Sequence, residues 1–137
     1  PVQSEELSQL NYTTLLAQDQ VSVFESLHRV SWEDLHGITP CFSLKKRQQF
    51  FSEIEDQNRF ELIYFDAFGA RVQPDLWTET IFKRMFDALK DSGVLVTYAA
   101  KGSVRRAMQA VGFTVERLEG PPGKREMLRA TKPSKGC

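Results

Sequence analysis

The sequence contains little cysteine and little histidine. Its two cysteines, Cys41 and Cys137, and its two histidines, His28 and His36, form neither a disulfide framework nor a metal-binding cluster. We therefore expect no metal site and a reducing environment, which predicts a cytoplasmic protein. No apolar run approaches the roughly 20 residues that cross a bilayer, so the sequence predicts no membrane partner.

The charge balance shows no excess of either sign. Eighteen lysines and arginines stand against eighteen aspartates and glutamates, which disfavours a general polyanion binder but leaves room for a local basic face. Basic residues recur at 45–47, at Lys101 with Arg105 and Arg106, and at Lys124 with Arg125. Each group is able to contact phosphate, and the ordinary alternative for each is a solvated surface.

The glycine pattern argues against several enzyme classes. The chain has eight glycines but no Gly-x-Gly, and neither a Gly-x-Ser-x-Gly elbow nor a cysteine–histidine constellation indicates a hydrolase. Hydrophobic residues nevertheless make up 41% of the chain, and ten of them are phenylalanines. That composition predicts a folded globular domain rather than a disordered segment.

The amino-terminal part of the chain is predicted to consist of helices and loops. Ser4 is placed to cap a first helix, and residues 23–30 carry apolar side chains at helical spacing. Residues 32–40, which contain a glycine and end in a proline, are predicted as a loop. A short strand at 42–49 and a helical turn at 50–54 follow.

From Phe60 onward, strands and helices alternate. The predicted order is a strand at 62–65, a helix capped by Thr78, a strand at 94–99, a helix capped by Ser103, and strands at 113–118 and 126–130. The continuous apolar run at 62–65 is typical of a strand buried on both faces of a parallel sheet. Alternation of this kind predicts an α/β fold with a mostly parallel sheet, and the turn at 120–123 makes the final strand antiparallel.

Asp66 directly follows the apolar run, at the carboxyl end of its strand, where ligands bind in open α/β sheets. A carboxylate there is costly to bury unless it has a partner or a chemical use. One interpretation is structural, with Asp66 capping a loop or pairing with Arg71. The functional interpretation adds Phe68 and Trp77 as walls for a planar base, although Trp77 alone is more simply explained as a core anchor.

Residues 66–78 carry a more specific signature. The string Asp66-Ala67-Phe68-Gly69-Ala70-Arg71-Val72-Gln73-Pro74-Asp75-Leu76-Trp77-Thr78 resembles the Asp-x-Phe-x-Pro and Pro-Asp/Glu-x-Trp-Thr motifs of the MnmC-like tRNA methyltransferases. Further matches run through 94–98, 101–106, 110–115 and 123–129. The resemblance is strong from residue 60 to about residue 131, and it extends more weakly over residues 1–54.

The resemblance implies a Rossmann-like enzyme that uses S-adenosylmethionine to methylate the aminomethyl group of the tRNA wobble uridine. It makes Asp66 the catalytic residue, because a carboxylate can orient the accepting amine and receive its proton. The implied cofactor contacts are Gln49, Asp66 and Ala67. The implied substrate contacts are Phe68, Pro74, Trp77, Lys101, Lys124 and Arg125, of which the last two would meet RNA phosphate.

This chain departs from the family pattern at several positions, and it lacks some of the family's cofactor-binding features. Ala70 stands where the family has proline, and Gln48 and Gln49 replace a Gly-Asp pair near the adenine. The glycine-rich loop that should hold the cofactor and the acidic residue that should bind its ribose are both absent, so Pro1 is expected to lie just past the second strand of the family's sheet. We therefore predict a sheet that is missing its first strands and whose exposed edge favours self-association.

The predicted domain organisation follows from the same match. Residues 1–137 form a single, partial methyltransferase domain, with a helical and loop region at 1–59, an α/β half at 60–132 and a frayed tail at 133–137. The alternative function is a truncated or degenerate, non-catalytic module that binds RNA or protein.

Overall fold

A computed structural model of the chain describes residues 2–123 and 126–136. The chain divides into two compact units, Pro1–Gln48 and Gln49–Cys137, and each is described by itself. The second unit begins earlier than Phe60, where the α/β half was expected to start, because Phe51 and Ile54 pack against its core.

The first unit consists of short helices followed by a β-hairpin. Its elements are α1 (Ser4–Gln9), α2 (Tyr12–Leu16), α3 (Val21–Arg29), β1 (Leu35–Thr39) and β2 (Phe42–Lys45). α3 confirms the helix predicted from the apolar spacing at 23–30, and β2 confirms the short strand predicted within 42–49. α1 begins at Ser4 itself, so the N-cap is Gln3 and not the predicted serine.

The predicted loop at 32–40 is wrong, because most of it forms β1. This strand pairs antiparallel with β2, and His36 lies opposite Leu44. Gly37 and Pro40 each favour a loop when they are considered locally. Pairing with another strand overrides such weak local preferences. Gly37 lies within the paired strand, and Pro40 lies in the turn that follows it.

The second unit is an α/β sheet with two helices. Its elements are 3-10 turns at Phe51–Glu53 and Pro74–Trp77, β3 (Phe60–Tyr64), α4 (Glu79–Ala88), β4 (Leu89–Thr97), α5 (Gly102–Ala110), β5 (Thr114–Glu119) and β6 (Glu126–Thr131). The strand order is β3-β4-β6-β5. β3 and β4 are parallel, and β6 is antiparallel to both β4 and β5. Three strands therefore run in one direction and the last runs in the other, which confirms the predicted sheet.

Local signals set the limits of the two helices. Thr78 caps α4, because its Oγ1 accepts a hydrogen bond from the backbone N–H of Ile81 (3.5 Å). Lys101, and not the predicted Ser103, occupies the N-cap of α5. Gly112 follows that helix with a φ of 113°, in the left-handed region that favours glycine, as expected for a helix end.

The helices and the sheet share one hydrophobic core. The largest fully buried side chains in it are Phe82, Leu89, Val104, Leu95, Met108 and Leu128. Phe82 belongs to α4 and Met108 to α5, while Leu95 comes from β4. Both helices thus cover the same face of the sheet, and that packing holds the carboxyl ends of β3 and β4 in place.

The other face of β3 is exposed. Leu62 and Tyr64 are 44% and 77% exposed, and β3 ends the strand order with β4 as its one described partner. The prediction that 62–65 is buried on both faces is therefore wrong. A continuous apolar run indicates a strand, but it does not tell which faces other elements cover. No lysine or proline, the residues that usually protect a free edge, occurs within β3.

Candidate functional site

Asp66 lies just beyond β3, at the carboxyl end predicted for it. The backbone N–H of Phe65 still bonds to the carbonyl oxygen of Val96 (2.9 Å), so the parallel ladder ends directly before Asp66. The Asp66 side chain is exposed and makes no hydrogen bond or ion pair within residues 2–123 and 126–136. Neither a loop cap nor a pairing with Arg71 is present there, and this carboxylate stays available to a ligand.

A cavity of about 330 Å³ opens beside Asp66. Its walls are Gln49, Phe50, Phe51, Asp66, Ala67, Phe68, Gln73 and Leu76. All three residues predicted to bind the cofactor therefore border one space, together with Phe68, a predicted substrate contact. Phe50 and Phe68 are 76% and 71% exposed, so their rings offer flat apolar surface, and the two glutamines add amide groups.

A second, smaller cavity of about 70 Å³ also borders Asp66. Its walls are Tyr64, Phe65, Asp66, Val96, Thr97, Tyr98 and Met127. Among the described residues, Asp66 is the one that lines both cavities.

Sequence reasoning missed most of the residues that line these cavities, among them Phe50, Tyr64, Gln73, Tyr98 and Met127. Tyr64 precedes Asp66 by two residues, the spacing that puts side chains on one side of a strand. Tyr64 lies beside Val96 in the parallel register. Tyr98 follows Val96 by two residues, as Asp66 follows Tyr64, so Tyr98 and Asp66 occupy corresponding positions. The alternation signal was therefore present in the sequence for Tyr64, whereas Tyr98 is placed by the register of the two strands.

Trp77 lies beneath the loop that follows Asp66. It is 8% exposed, and its ring packs edge-on against Phe65 with the centroids 5.1 Å apart. Its Nε1 donates a hydrogen bond to the carbonyl oxygen of Phe68 (2.8 Å). This placement favours the interpretation of Trp77 as a core anchor, and it fixes the backbone two residues after Asp66.

Two of the remaining predicted contacts, Pro74 and Lys101, line neither cavity. Pro74 begins the 3-10 turn that leads to Trp77 and lines neither space. Lys101 lies exposed at the N-cap of α5 and lines neither space as well. Lys124 and Arg125 lie outside the residues that the structure describes.

Glu61 of β3 has a charged partner, Lys90. A hydrogen bond from the Lys90 ammonium to Glu61 holds the pKa of that carboxyl below its ordinary value, and both side chains are largely solvent-exposed. Within the described ranges, no three His, Cys, Asp or Glu side chains are grouped so as to hold a metal ion. In the same ranges no helix has the length and apolarity to cross a membrane.

A comparison with known proteins identifies the family. Residues 22–133 match the sequence profile of a family described as S-adenosyl-L-methionine-dependent methyltransferase. The chain belongs to this family. The profile spans Asp66 and both cavities, and membership implies S-adenosylmethionine as the cofactor.

The curated relatives confirm the resemblance to MnmC-like proteins. Over 76 residues the chain is 40% identical to the tRNA 5-methylaminomethyl-2-thiouridine biosynthesis bifunctional protein MnmC of Actinobacillus pleuropneumoniae serotype 5b (strain L20). That match covers 56% of this chain and 11% of the relative. The MnmC of serotype 3 (strain JL03) gives the same figures. The chain therefore corresponds to a small part of the length of these proteins.

Two solved structures are similar in fold. MNMC2 from Aquifex aeolicus has a TM-score of 0.65 at 24% identity, covering 80% of this chain and 36% of that one. A possible exported protein from Bordetella parapertussis has a TM-score of 0.51 at 14% identity, covering 66% and 44%. At these identities the likeness shows the fold, and it agrees with a Rossmann-like methyltransferase sheet.

Proposed function

We propose that this chain forms the acceptor side of a site that methylates the aminomethyl group of the wobble uridine in tRNA. The observation that carries the proposal is the Asp66 carboxylate, which is exposed, has no partner among the described residues and borders two cavities. The 40% identity to MnmC over 76 residues supports the substrate, because that protein's name specifies 5-methylaminomethyl-2-thiouridine in tRNA.

The residues around the larger cavity fit part of the cofactor. S-adenosylmethionine, when bound, supplies a methyl group on a positively charged sulfur. The exposed ring of Phe50 suits a flat purine, the Gln49 amide can bond to its polar edge, and the Asp66 carboxylate suits the positive charge. Ala67 adds a small side chain that leaves room beside them.

The cofactor site in this chain is proposed to be incomplete. No Gly-x-Gly occurs in the 137 residues, although the family resemblance requires a glycine-rich loop around the donor. Backbone N–H groups of such a loop normally approach the cofactor closely, which side chains cannot replace. We propose that a longer protein completes the larger cavity.

Asp66 is proposed to prepare the accepting amine. An ammonium group cannot attack a methyl donor, because a proton occupies its lone pair. Asp66 accepts a hydrogen bond from the amine, orients it and receives the proton that it gives up. The lone pair that Asp66 frees on the amine nitrogen would then be available to the methyl group that S-adenosylmethionine would supply. The exposed carboxyl then releases its proton to solvent.

The proposed partner is tRNA in the cytoplasm. Phe68 offers an exposed ring to the uridine, and Lys101, Lys124 and Arg125 are proposed to contact phosphate. Pro74 and Trp77 are proposed to act by holding the loop that carries Phe68.

Methyl transfer from labelled S-adenosylmethionine to tRNA tests this function directly. The assay uses the full-length protein and compares Asp66→Asn with the unchanged sequence. Loss of transfer in that variant supports the proposal, and undiminished transfer contradicts it.

The missing glycine-rich loop favours a second candidate, a non-catalytic module that binds RNA or protein. Calorimetric titration of the 137-residue chain with S-adenosylmethionine separates the possibilities. We expect no measurable binding, because the chain holds part of a donor site, and micromolar binding would contradict that view. Binding of tRNA by the full-length protein without any methyl transfer would favour the module.

A further inference from the structure

Two tyrosines flank the smaller cavity on the exposed face of the sheet. Tyr64 lies beside Val96 in the parallel register, and Tyr98 follows Val96 by two residues. Since strand side chains alternate, Tyr64 and Val96 point to the face that α4 and α5 leave uncovered, and Tyr98, which follows β4, lines the same cavity. Tyr64 is 77% exposed and Tyr98 is 50% exposed, and Asp66 and Met127 of β6 also line the cavity.

The chemistry of this cavity suits a small organic cation. Aromatic faces attract ammonium groups through their ring electrons, and a thioether is a soft apolar neighbour. Asp66 adds a full negative charge with no ion partner among the described residues. Among the described residues, the basic group nearest in register on the same face is Arg129, opposite Val96, and its Nε donates a hydrogen bond to Glu116 (2.9 Å). Among the described residues that line the cavity, Asp66 is therefore the one charged side chain.

The smaller cavity is large enough for a small functional group but too small for a whole base. Its volume is about 70 Å³, whereas the larger cavity beside Asp66 measures about 330 Å³. A primary alkyl amine carries a proton at neutral pH, as the lysine side chain does with a pKa of about 10.4. An aminomethyl arm is thus a small cation before it reacts.

We propose that the cleft formed by Tyr64, Asp66, Tyr98 and Met127 binds the ammonium group of the methyl acceptor. The inference rests on the proposed function and adds to it a subsite for the reacting group. Asp66 then lies between the two reactants, with the donor in the larger cavity and the amine in the cleft. Tyr64 and Tyr98 act as specificity-determining residues, because their rings favour a cation over a neutral group of the same size.

A pair of nucleosides tests the subsite on the 137-residue chain without any mutation. 5-Aminomethyluridine and 5-hydroxymethyluridine differ only in the ammonium and hydroxyl groups. In an NMR titration we expect the amino compound to shift the ring signals of Tyr64 and Tyr98 and the methyl signal of Met127. It should bind about two- to fivefold more tightly than the hydroxyl compound.

Variants assign that preference to the cleft. Asp66→Asn and Tyr98→Leu should each remove the preference, whereas Tyr12→Leu, which changes the third tyrosine of the chain, should leave it intact. These side chains are all exposed, so the replacements leave the core unchanged, and the signals of Leu95 and Met108 report retained folding.

Three results would overturn the inference: equal affinity for the two nucleosides, shifts confined to Phe50 and Phe68, or no shift at the cleft with the amino compound. In each case the proposed methyl transfer would still be tested independently by the labelled-methyl assay with full-length protein. The failure of the subsite and the failure of the function are therefore separate outcomes.

Discussion

The indole Nε1 of Trp77 donates a 2.8 Å hydrogen bond to the backbone carbonyl oxygen of Phe68. The indole ring itself is buried against Phe65 and Phe82, so the bond ties the loop after Asp66 to the hydrophobic core. The exposed Asp66 carboxylate and the exposed Phe68 ring are therefore carried by a backbone segment that is anchored to the core. Preorganisation of this kind holds a reacting group in position before the reaction, so that the group does not have to be ordered during the reaction.

Replacing Trp77 by phenylalanine tests this attachment. The variant keeps an aromatic ring but removes the N–H donor and leaves the Phe68 carbonyl oxygen without it. We expect the free energy of unfolding to fall by at least about 1 kcal/mol, measured by urea denaturation. Trp32→Phe is the matched control, since Trp32 is 39% exposed and belongs to the first unit. Equal effects of the two replacements would show that the hydrogen bond contributes nothing.

The uncovered edge of β3 predicts self-association. Leu62 and Tyr64 are exposed on a strand whose second edge has no described partner, and such edges pair with other strands. We expect the 137-residue chain to show a sedimentation coefficient that rises with concentration, and Leu62→Lys to suppress that rise. Leu15→Lys, which removes a 69% exposed leucine of the first unit, should not suppress it. A chain that stays monomeric at all concentrations would contradict the prediction.

The ion pair between Glu61 and Lys90 predicts a titration shift. The Lys90 hydrogen bond lowers the pKa of Glu61 in the folded chain. The pair's contribution to stability is therefore complete above the unfolded pKa and is lost as the pH falls through the folded pKa. Lys90→Met should raise the Glu61 midpoint, followed by carboxyl carbon-13 NMR, towards its ordinary value. Lys83→Met, which removes the partner of Asp87 (2.6 Å), should leave it unchanged; a Glu61 midpoint that Lys90→Met does not move would refute the assignment.

Sequence patterns located the elements of the second unit but not their surroundings. The helical spacing of α4 and the apolar run of β3 are local properties, so they were predictable. The exposed face of β3 was not, because burial depends on which other elements pack there. β1 was missed for the same reason, since Gly37 is extended only because β2 supplies its partner.

The candidate site was predictable where its residues are neighbours in sequence. Asp66, Ala67 and Phe68 follow one strand, so the motif alone brought them together. Tyr98 joins Asp66 only through the parallel register of β3 and β4, which depends on the tertiary fold. Trp77 has an aromatic side chain that suits a base as well as a core, and only its burial and its bond to Phe68 distinguish the two.

The central claim concerns the Asp66 carboxylate, and Asp66→Asn tests it most directly. The amide keeps the shape of the side chain but cannot receive the proton of the accepting amine. Rates of labelled methyl transfer to tRNA by the full-length protein should fall by about 100-fold or more. Asp75→Asn, an exposed carboxylate of the same loop, should retain the full rate. An Asp66→Asn protein that transfers methyl groups as fast as the unchanged one would contradict the account.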